Sequence, residues 1–415
     1  MLWFEALAMF SLGLQVGGKF AVERAHRASF LDQTRRKLYK NWIASRCQDI
    51  CCLRCLRGRT VVVFETTAHY YRFFANESRR GGSPLYEKLS LGIADSPALQ
   101  SLTARRRRGQ PSANLLFGAV QYLLLGGIDD PLKDYYPSLG GTRPADDRAF
   151  GLFAAFCIAH EAEIVDIISR RATNTNEVGR SALLLPAFDF LARGTGAPLG
   201  IVEIGSSAGL NLNFDRYGYR YTDAQGAAKL ERWTDAPFVL SCVLEGPGVP
   251  QLGERPPAVG SRIGLELYPT DVGDPSERRW LKALVWPERL DRLAKLDGAL
   301  KVAALHPPPP ARGGDAVSNL AAALAAIPSG HVRCVYHTVM AYQLSGEQHK
   351  RIHEILFEGS KTAPVWRVTV EGEVAQPNPT ETFNPLKVSR YFKGERQVKT
   401  LAVCDPHGLS MEWKG

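Results

Sequence analysis

The sequence predicts a mixed α/β fold: an all-helical region followed by a mostly parallel sheet of seven strands with an antiparallel pair at the carboxyl end. Two observations support this prediction. Apolar residues recur every three to four positions from about 61 to 195, whereas short β-branched runs alternate with helix-like segments after Pro198. Such alternation is typical of parallel α/β sheets. The 415 residues, 45% of them hydrophobic, are enough for two or three domains.

Helical periodicity defines the first region, 61–195. Five segments place apolar residues three to four positions apart, and strand signals are nearly absent between them. Ser83-Pro84 and Ser96-Pro97 are typical helix starts, since serine caps free amide groups and proline fits the first turn. The five segments are 68–75, 85–92, 114–125, 150–171 and 177–193.

Strand-like runs define the second region, 196–415. The first run is LGIVEI at 199–204, which is apolar, β-branched and followed by a glycine, as a buried parallel strand often is. Proline and glycine clusters at 246–258 and 306–314 predict loops within this region. The predicted strands are 199–204, 262–267, 332–339, 365–370, 398–405 and 409–414, and the predicted helices are 278–300, 319–326 and 346–357.

Residues 1–60 form a separate basic extension that contains cysteines. They hold 11 lysines and arginines against 4 acids, so most of the formal net charge of +9 lies there. The rest of the chain is nearly balanced, and the arginine run 105–108 is typical of a solvated loop, so we expect no nucleic-acid partner. Glu5 interrupts the apolar start and the run 115–128 is too short for a bilayer, so no membrane span is predicted.

The eight cysteines fall into two groups. Four cluster at 47–55 without a second CxxC or a histidine pair, so no metal site is predicted. The other four lie singly in apolar surroundings, which is typical of reduced cysteines in a cytoplasmic protein. They are Cys157, Cys242, Cys334 and Cys404.

The most informative segment is IVEIGSSAGLNLNFD at 201–215. A predicted strand carrying Glu203 passes through Gly205, Ser207 and Gly209 into a helix. Small residues at every second position let a ligand approach the backbone at the carboxyl end of the strand. The segment lacks the third glycine of a dinucleotide fingerprint and the Gly-Lys pair of a phosphate-binding loop. It therefore predicts a nucleotide-type site of another kind.

Two interpretations of this turn remain, and they imply different reactions. The Glu203-x-Gly205-x-Ser207-x-Gly209 pattern resembles the first motif of class I S-adenosylmethionine-dependent methyltransferases, which have a Rossmann-like sheet. The same residues match the G-x-S-x-G nucleophile elbow of a serine hydrolase, in which Ser207 attacks an acyl carbon and His407 completes a triad. The chain before this strand looks helical and has no HGGG-type segment, so the order of elements favours the methyltransferase.

Two downstream acids continue the methyltransferase resemblance. It implies that Glu266, at the end of the RIGLEL strand, accepts hydrogen bonds from both ribose hydroxyls, and that Asp315 contacts the adenine amino group. About 57 residues separate Gly209 from Glu266, where some 20 are usual in the family, so an inserted arm near 217–258 is expected. The structural alternatives are a surface acid at Glu266 and a helix cap at Asp315.

Polar residues near two strand ends are candidates for contact with the substrate. His337 lies at a strand end and Gln343 in the loop that follows, where His337 could also remove a proton as the catalytic base. Asn176, Glu177 and Arg180 lie at a helix start just before the first strand, where they could form a polar wall over the methionine end of the cofactor. The structural alternatives are a buried histidine and a helix start capped by Asn176.

Residues from about 65 to the end resemble an uncharacterised bacterial domain-of-unknown-function family. The resemblance implies a helical region joined to a methyltransferase-like sheet. The phrases that carry it are YYRFFANES, GIADSP, QPSANLLFGAVQYLLL, TNEVGRSALLLP, EIGSSAGLNLNFDRY and DPHG.

The sequence therefore predicts a cytoplasmic protein whose helical region shapes the pocket of a Rossmann-like domain that binds S-adenosylmethionine. The predicted reaction is methyl transfer to a small-molecule acceptor, which depends on positioning and requires no metal. A hydrolase based on Ser207 and a non-catalytic cofactor-binding or assembly module are the alternatives, because one fold serves many functions. The pattern indicates neither the identity of the acceptor nor the oligomeric state.

Overall fold

The computed structural model describes residues 53–56, 59–62, 66–174, 176–371 and 384–415. Most of the 1–60 extension, including Cys47, Cys51 and Cys52, lies outside the described residues, and so does the prediction made for its cysteines. Within the described ranges, eleven α-helices and thirteen strands follow one another along the chain.

The helices alternate with strands only in the second half of the chain. The α-helices are α1 (Thr67–Arg80), α2 (Pro84–Ala94), α3 (Pro97–Ser101), α4 (Ser112–Leu125), α5 (Arg148–Ala159), α6 (Glu161–Arg170), α7 (Arg180–Thr195), α8 (Pro275–Ala283), α9 (Leu290–Leu305), α10 (Ala316–Ala325) and α11 (Gly346–Gly359). The strands are β1 (Leu53–Leu56), β2 (Arg59–Val62), β3 (Leu199–Ile204), β4 (Gly218–Thr222), β5 (Ala228–Arg232), β6 (Val239–Leu244), β7 (Val259–Glu266), β8 (Arg312–Gly313), β9 (Val332–Thr338), β10 (Val365–Val370), β11 (Asn384–Phe392), β12 (Glu395–Cys404) and β13 (Ser410–Trp413).

The helical region packs α1 to α6 around a core of aromatic and aliphatic side chains. Ser83 and Ser96 cap α2 and α3 through their hydroxyls, as the two Ser-Pro starts predicted. Helix α4 is buried almost all round, and its central polar side chain, Gln121, donates to two carbonyls at the end of α8. Trp280 of α8 belongs to the same core, so the helical region and the second region share a packed interface.

The second region is built on one sheet of eleven strands in the order β5-β4-β6-β13-β12-β11-β10-β9-β3-β7-β8. Strands β10, β9, β3, β7 and β8 run parallel to one another. From β10 the sheet continues through β11, β12 and β13 with antiparallel pairings, and then through β6 and β4 parallel to β13. Strand β5 pairs antiparallel with β4, and β1 and β2 form a separate antiparallel pair.

Strand β3 lies inside the sheet and is the first strand of that sheet in chain order, as predicted. All six of its residues are buried, because β7 and β9 flank it and helices cover both faces of the sheet. Leu199 and Ile201 belong to the core formed with α7 and α9, whereas Val202 and Ile204 belong to the core formed with α10 and α11. This alternation explains why the run is apolar throughout.

Three parts of the fold differ from the sequence prediction. The sheet has eleven strands rather than seven: the predicted inserted arm at 217–258 supplies β4, β5 and β6 of the same sheet, and neither β8, which lies in the predicted loop 306–314, nor β11 was predicted. The predicted helix 278–300 is two helices, α8 and α9, with Pro287 between them, which lacks the amide hydrogen that a helix interior requires. The predicted helix 150–171 is divided at His160 into α5 and α6.

The four scattered cysteines are buried, as their apolar surroundings predicted. They form no disulfide, and burial in apolar surroundings raises the pKa of each thiol, to about 12 for Cys242. Among the described residues, no helix combines the length and the apolar character that a membrane crossing requires.

Candidate functional site

The order of the parallel strands places a topological switch point between β3 and β9. After β3 the chain forms β4, β5 and β6 at the far end of the sheet, then adds β7 and β8 on one side of β3, and finally places β9 and β10 on its other side. In open α/β sheets, ligands bind outside the carboxyl ends of the strands at such a point, because the connections diverge there and leave a crevice. We call this side of the sheet, where the parallel strands end, the carboxyl edge.

The turn after β3 has the backbone geometry that the sequence predicted. Gly205, Ser207 and Gly209 all have positive φ values, of 75°, 54° and 72°. Glycine adopts this conformation freely, but a serine there is strained. Gly205 is exposed, and a Cβ atom at this position would lie 3.4 Å from the side chain of Met340. That distance is an ordinary van der Waals contact, so the positive φ, not the available space, is what favours glycine here.

Two predicted site residues hold this turn in place. Asn176 donates from Nδ2 to the Ser207 hydroxyl at 2.7 Å and accepts from the Ala208 amide at 3.0 Å. Glu266 accepts from the Ser207 amide at 2.7 Å and, through its other oxygen, from the Tyr268 amide at 3.2 Å. The hydrogen bonds to the turn satisfy amide groups that no strand or helix pairs. Asn176 is therefore a clamp on the turn, not the cap of α7.

The turn after β9 is strained as well. Val339 has a φ of 47°, a conformation that a β-branched side chain rarely adopts, and it is one of four non-glycine residues with positive φ in the described ranges. Glu371, directly after β10, accepts from the amides of Met340 and Ala341 at 2.9 and 3.2 Å. Two of those four residues, Ser207 and Val339, thus follow the two strands that flank the switch point. Strained residues of this kind cluster at functional sites.

Glu203 lies buried at the end of β3. The pKa of its carboxyl group is raised to about 8, chiefly by burial and also by the nearby charge of Glu266, while Tyr336, Arg180 and Asn211 oppose the shift. The carboxyl group is therefore mostly protonated at neutral pH. Its Oε2 atom and the hydroxyl of Ser206 have no hydrogen-bond partner within the described part of the chain. Unpaired buried polar atoms are uncommon, and they are typical of positions that a ligand or water completes.

His337 is buried behind the turn that follows β9. Its Nδ1 atom is 2.7 Å from Glu371, and its Nε2 atom accepts hydrogen bonds from Arg367 at 2.7 and 3.1 Å. Burial and the charge of Arg367 lower the pKa of the imidazole, which Glu371 partly offsets. Both ring nitrogens are thus occupied by protein partners, and the neutral imidazole positions Glu371 and the turn that Glu371 holds.

Arg180 and Glu177 lie at the start of α7, next to this edge. Arg180 is nearly buried and donates to the carbonyls of Pro406 and Thr338 at 2.8 and 3.3 Å. Glu177 is buried as well and forms an ion pair with Arg292 at 2.9 Å. The cap of α7 is Gly179, whose Cα is in close contact with the backbone of His407. The start of α7 therefore joins β9 to the loop that follows β12.

The remaining predicted residues lie at the rim. Asp315 is exposed and caps α10, accepting from the amide and the hydroxyl of Ser318 at 3.1 and 2.8 Å. Gln343 is exposed in the short 3₁₀ turn Ala341–Gln343. The structure thus brings Glu203, Glu266, Asn176 and Arg180 together around the turn after β3, while Asp315 and Gln343 remain peripheral.

Sequence reasoning missed four residues of this edge: Arg367, Glu371, Val339 and Met340. The signal for Arg367 was a charged residue inside the apolar strand VWRVTV, where a buried partner must neutralise or bond it. The strain at Val339 has no sequence signal, because it arises from how the turn is held. Within the described ranges, no group of three or more metal-ligating side chains forms a metal site.

Comparison with known proteins identifies one family. The model of DUF2332, described as "Uncharacterized protein conserved in bacteria", matches residues 68–413. No curated protein and no solved structure matches the chain.

Proposed function

The chain belongs to the DUF2332 family, and from the geometry of the carboxyl edge we propose that the switch point binds S-adenosylmethionine and directs its methyl group to a small-molecule acceptor. The observation that carries the proposal is the strained turn Gly205 to Gly209 at the carboxyl end of β3, with carboxyl groups on β3 and on the neighbouring strand β7. An exposed glycine at such a turn lets a ligand approach the backbone closely.

The acids on β3 and β7 suit the two parts of this ligand. Glu266 uses two hydrogen bonds from the turn, and an ionised carboxylate has about four acceptor sites, so it can also accept from ribose hydroxyls. Glu203 keeps its proton at neutral pH, and its Oε2 atom can pair with a polar group of the ligand. The nearby guanidinium of Arg180 favours a carboxylate at the methionine end.

The sulfonium of the bound cofactor supplies an electrophilic methyl group. The task of the chain is then to position the two reactants in line and to exclude water, which is the main source of rate in such transfers. The side chain of Met340 lies beside Gly205, and Glu371 accepts from the Met340 amide, so the turn after β9 would form one wall of the space above β3. His337 positions Glu371 from behind, and with both ring nitrogens bonded it serves as a support for the turn and not directly as the base.

A serine hydrolase is the second candidate, and the φ of 54° at Ser207 favours it, since a nucleophile elbow strains its serine in a similar way. Against it, the Ser207 hydroxyl is nearly buried and bonds to the Asn176 amide, which cannot take its proton. A non-catalytic module that binds the cofactor is the third candidate, and it predicts binding without turnover on any acceptor.

Calorimetry with S-adenosylhomocysteine tests the proposal. We expect saturable binding by the wild type and at least about tenfold weaker binding by Glu266→Gln, because the amide would present a donor to the Ser207 amide and lose a charged acceptor. Glu358→Gln, an exposed acid at the end of α11, is the matched control and should bind normally. Ligand at 100 times Kd should also stabilise the fold by about 2.7 kcal/mol.

Two results would contradict this proposal. Absence of S-adenosylhomocysteine binding to a folded wild type would reject it, and labelling of Ser207 by a fluorophosphonate would then support the hydrolase. Equal loss of binding in Glu266→Gln and Glu358→Gln would mean that Glu266 has no specific role.

A further inference from the structure

Three buried polar atoms without a hydrogen-bond partner lie on neighbouring strands at the carboxyl edge. They are the Oε2 atom of Glu203 and the hydroxyl oxygens of Ser206 and Tyr336, and each lacks a partner among the residues that the structure describes. The three residues are 3%, 4% and 0% exposed. A buried polar atom without a partner costs free energy, so a group of such atoms indicates a place that a ligand or water completes.

Strand register places these three side chains on one face of the sheet. Glu203 on β3 lies directly opposite Tyr336 on β9 and Gly264 on β7. Side chains at opposite positions of neighbouring strands point to the same face, and such strands lie about 4.8 Å apart. A Cβ atom at Gly264 would lie 2.6 Å from the Ser206 hydroxyl, so the Ser206 side chain fills the place of a side chain on β7. We call Tyr336, Glu203 and Ser206 the Glu203 row.

Charges from two neighbouring elements act on Glu203 within this row. Burial raises the pKa of Glu203 most, the charge of Glu266 at the end of β7 raises it too, and the guanidinium of Arg180 on α7 lowers it. Glu203 forms no ion pair within the described part of the chain. Its carboxyl group is therefore buried next to a second acid, without a cation of the chain in contact with it.

The ionisable groups on the neighbouring strands are neutral or paired. Burial and the charge of Glu203 raise the pKa of Tyr336 well above its ordinary value. Burial likewise raises the pKa of Tyr217. Arg262 on β7 pairs with Asp215 at 2.7 Å. Glu203 is therefore the group of the row whose protonation a bound ligand would change.

The chemistry of the row suits a positively charged donor. A primary ammonium group has three N–H donors and no acceptor, and the row presents one carboxyl oxygen and two hydroxyl oxygens that can accept. An anion would instead meet the two acids Glu203 and Glu266, and a neutral hydroxyl would supply one donor for three acceptors. Charge and hydrogen-bonding capacity thus favour the ammonium.

We propose that the Glu203 row binds a primary ammonium group of a ligand held at the switch point. This inference rests on the proposed function, which offers two sources of that group: the amino group of the cofactor, or an amine that accepts the methyl group. The two sources share the same chemistry at the row, and different probes distinguish them.

Ammonium binding should expel the proton of Glu203. The carboxyl group, with a pKa of about 8, is mostly protonated in the free protein at neutral pH. A cation in contact with it favours the ionised form, and the carboxylate is then neutralised by a hydrogen-bonded partner, as a buried charge requires. The proton passes to the solvent, while the ammonium keeps its own protons.

The first experiment counts the protons released on binding. Calorimetry at pH 7 in buffers of different ionisation enthalpy is performed with S-adenosylhomocysteine, which has the ammonium group, and with methylthioadenosine, which lacks it. We expect release of about 0.9 proton per S-adenosylhomocysteine bound, the protonated fraction of a group with a pKa of about 8, and none with methylthioadenosine. This comparison requires no variant and so does not depend on the folding of one.

Variants then assign the released proton to the row. Glu203→Gln should release no proton and bind S-adenosylhomocysteine about tenfold more weakly. Tyr336→Phe and Ser206→Ala should each weaken it about threefold, keep the proton release and leave methylthioadenosine binding unchanged. Tyr86→Phe and Ser90→Ala are the matched controls, because they remove buried hydroxyls of the helical region that also lack partners, and they should bind like the wild type.

Methylammonium chloride distinguishes the two sources of the ammonium. It is titrated into the complex with S-adenosylhomocysteine while infrared difference spectra follow the band of the protonated carboxyl group, which Glu203→Gln lacks. Ionisation of Glu203 by S-adenosylhomocysteine itself would identify the amino group of the cofactor. Ionisation only after methylammonium is added would identify an amine acceptor. Either result supports the ammonium site.

Three results separate failure of this inference from failure of the proposed function. Binding of S-adenosylhomocysteine without ionisation of Glu203 by any probe would overturn the inference and leave the cofactor site intact. Equal proton release with S-adenosylhomocysteine and methylthioadenosine would also overturn it, because the release would not depend on the ammonium. Ionisation of Glu203 by methylammonium alone, without binding of either nucleoside, would reject the cofactor and keep the row as an ammonium site.

Discussion

The helical region and the carboxyl edge of the sheet bury different kinds of side chain. The helical core is dominated by aromatic rings, such as Tyr86 stacked on Phe117 with ring centroids 4.2 Å apart. Its buried polar residues are mostly serines, with Glu77 as its buried charged residue within the described ranges. The region around the carboxyl edge instead buries the charged residues Glu203, Arg180 and Arg367.

This difference teaches where stability is gained and where it is lost. Apolar burial contributes about 25 cal/mol per Å², whereas a buried charge costs several kcal/mol unless it is paired. The carboxyl edge also contains the strained Ser207 and Val339. The helical region therefore serves to stabilise the molecule, while the carboxyl edge keeps an arrangement that packing alone would not favour.

The sharpest test of the stabilising role of the helical region is Trp280→Ala. Trp280 is 2% exposed in the helical core, and its indole donates to the Ala172 carbonyl at 2.8 Å. We expect a loss of about 3–5 kcal/mol in the free energy of unfolding, measured by urea denaturation, because a large cavity forms and the carbonyl loses its partner. Ile158→Ala, at a side chain 69% exposed, should change it by less than about 0.5 kcal/mol. Similar losses of unfolding free energy in Trp280→Ala and Ile158→Ala would mean that burial in the helical core does not contribute the expected stability.

The cost of buried charge at the carboxyl edge is tested by pH. Because the folded-state pKa of Glu203, about 8, exceeds its ordinary value of 4.5, folding favours the protonated acid, and stability is lost as the pH rises through 8. Between pH 6.5 and 8 we expect the free energy of unfolding of the wild type to fall by about 1.5 kcal/mol relative to Glu203→Gln.

The range from pH 6.5 to 8 lies above the folded-state pKa values of two buried histidines, His353 and His407. The lowered pKa values of His353, about 4, and His407, about 3, act in the opposite sense, because the unfolded chain binds more protons below pH 6.5. Parallel stability profiles for wild type and Glu203→Gln would mean that Glu203 is ionised in the folded protein.

The smallest expected effect concerns the rim. Asp315→Ala should lower the free energy of unfolding by about 1 kcal/mol through loss of the α10 cap, and should leave S-adenosylhomocysteine affinity within about twofold. Asp274→Ala, which removes the equivalent cap of α8, is the matched control and should behave identically. A tenfold loss of S-adenosylhomocysteine affinity in Asp315→Ala, but not in Asp274→Ala, would support the predicted contact of Asp315 with adenine. The site would then extend to the end of β8.

Much of the fold was predictable because its signals are local. The Ser-Pro starts of α2 and α3 and the apolar run of β3 each report on their own segment. Strand β5 was missed because its mostly exposed, polar residues at the edge of the sheet lack the alternation of a half-buried strand. Strand β4 was missed although its buried Tyr219 and Tyr221 alternate with the exposed Arg220, because the run is only five residues long. Their place in the sheet depends on pairing with β6, which lies far from β3.

The candidate site was predictable in part for the same reason. The turn at 205–209 and Glu266 are marked by residue types that follow strand ends, and the structure brings them together. The function of Asn176 as a clamp and of His337 as a support for Glu371 depends on contacts across more than 30 residues of chain. Spacing along the sequence contains no record of such contacts.

The sequence by itself determined the two-region α/β organisation, the buried parallel strand β3 and the small-residue turn after it, since hydrophobic periodicity and glycine conformational freedom are local properties. Only the tertiary structure decided the switch point, the strain at Val339 and the contact of Asn176 with the turn after β3. These features arise because strand order and loop packing bring together residues that are distant in the chain, and electrostatic and steric interactions depend on distance in space.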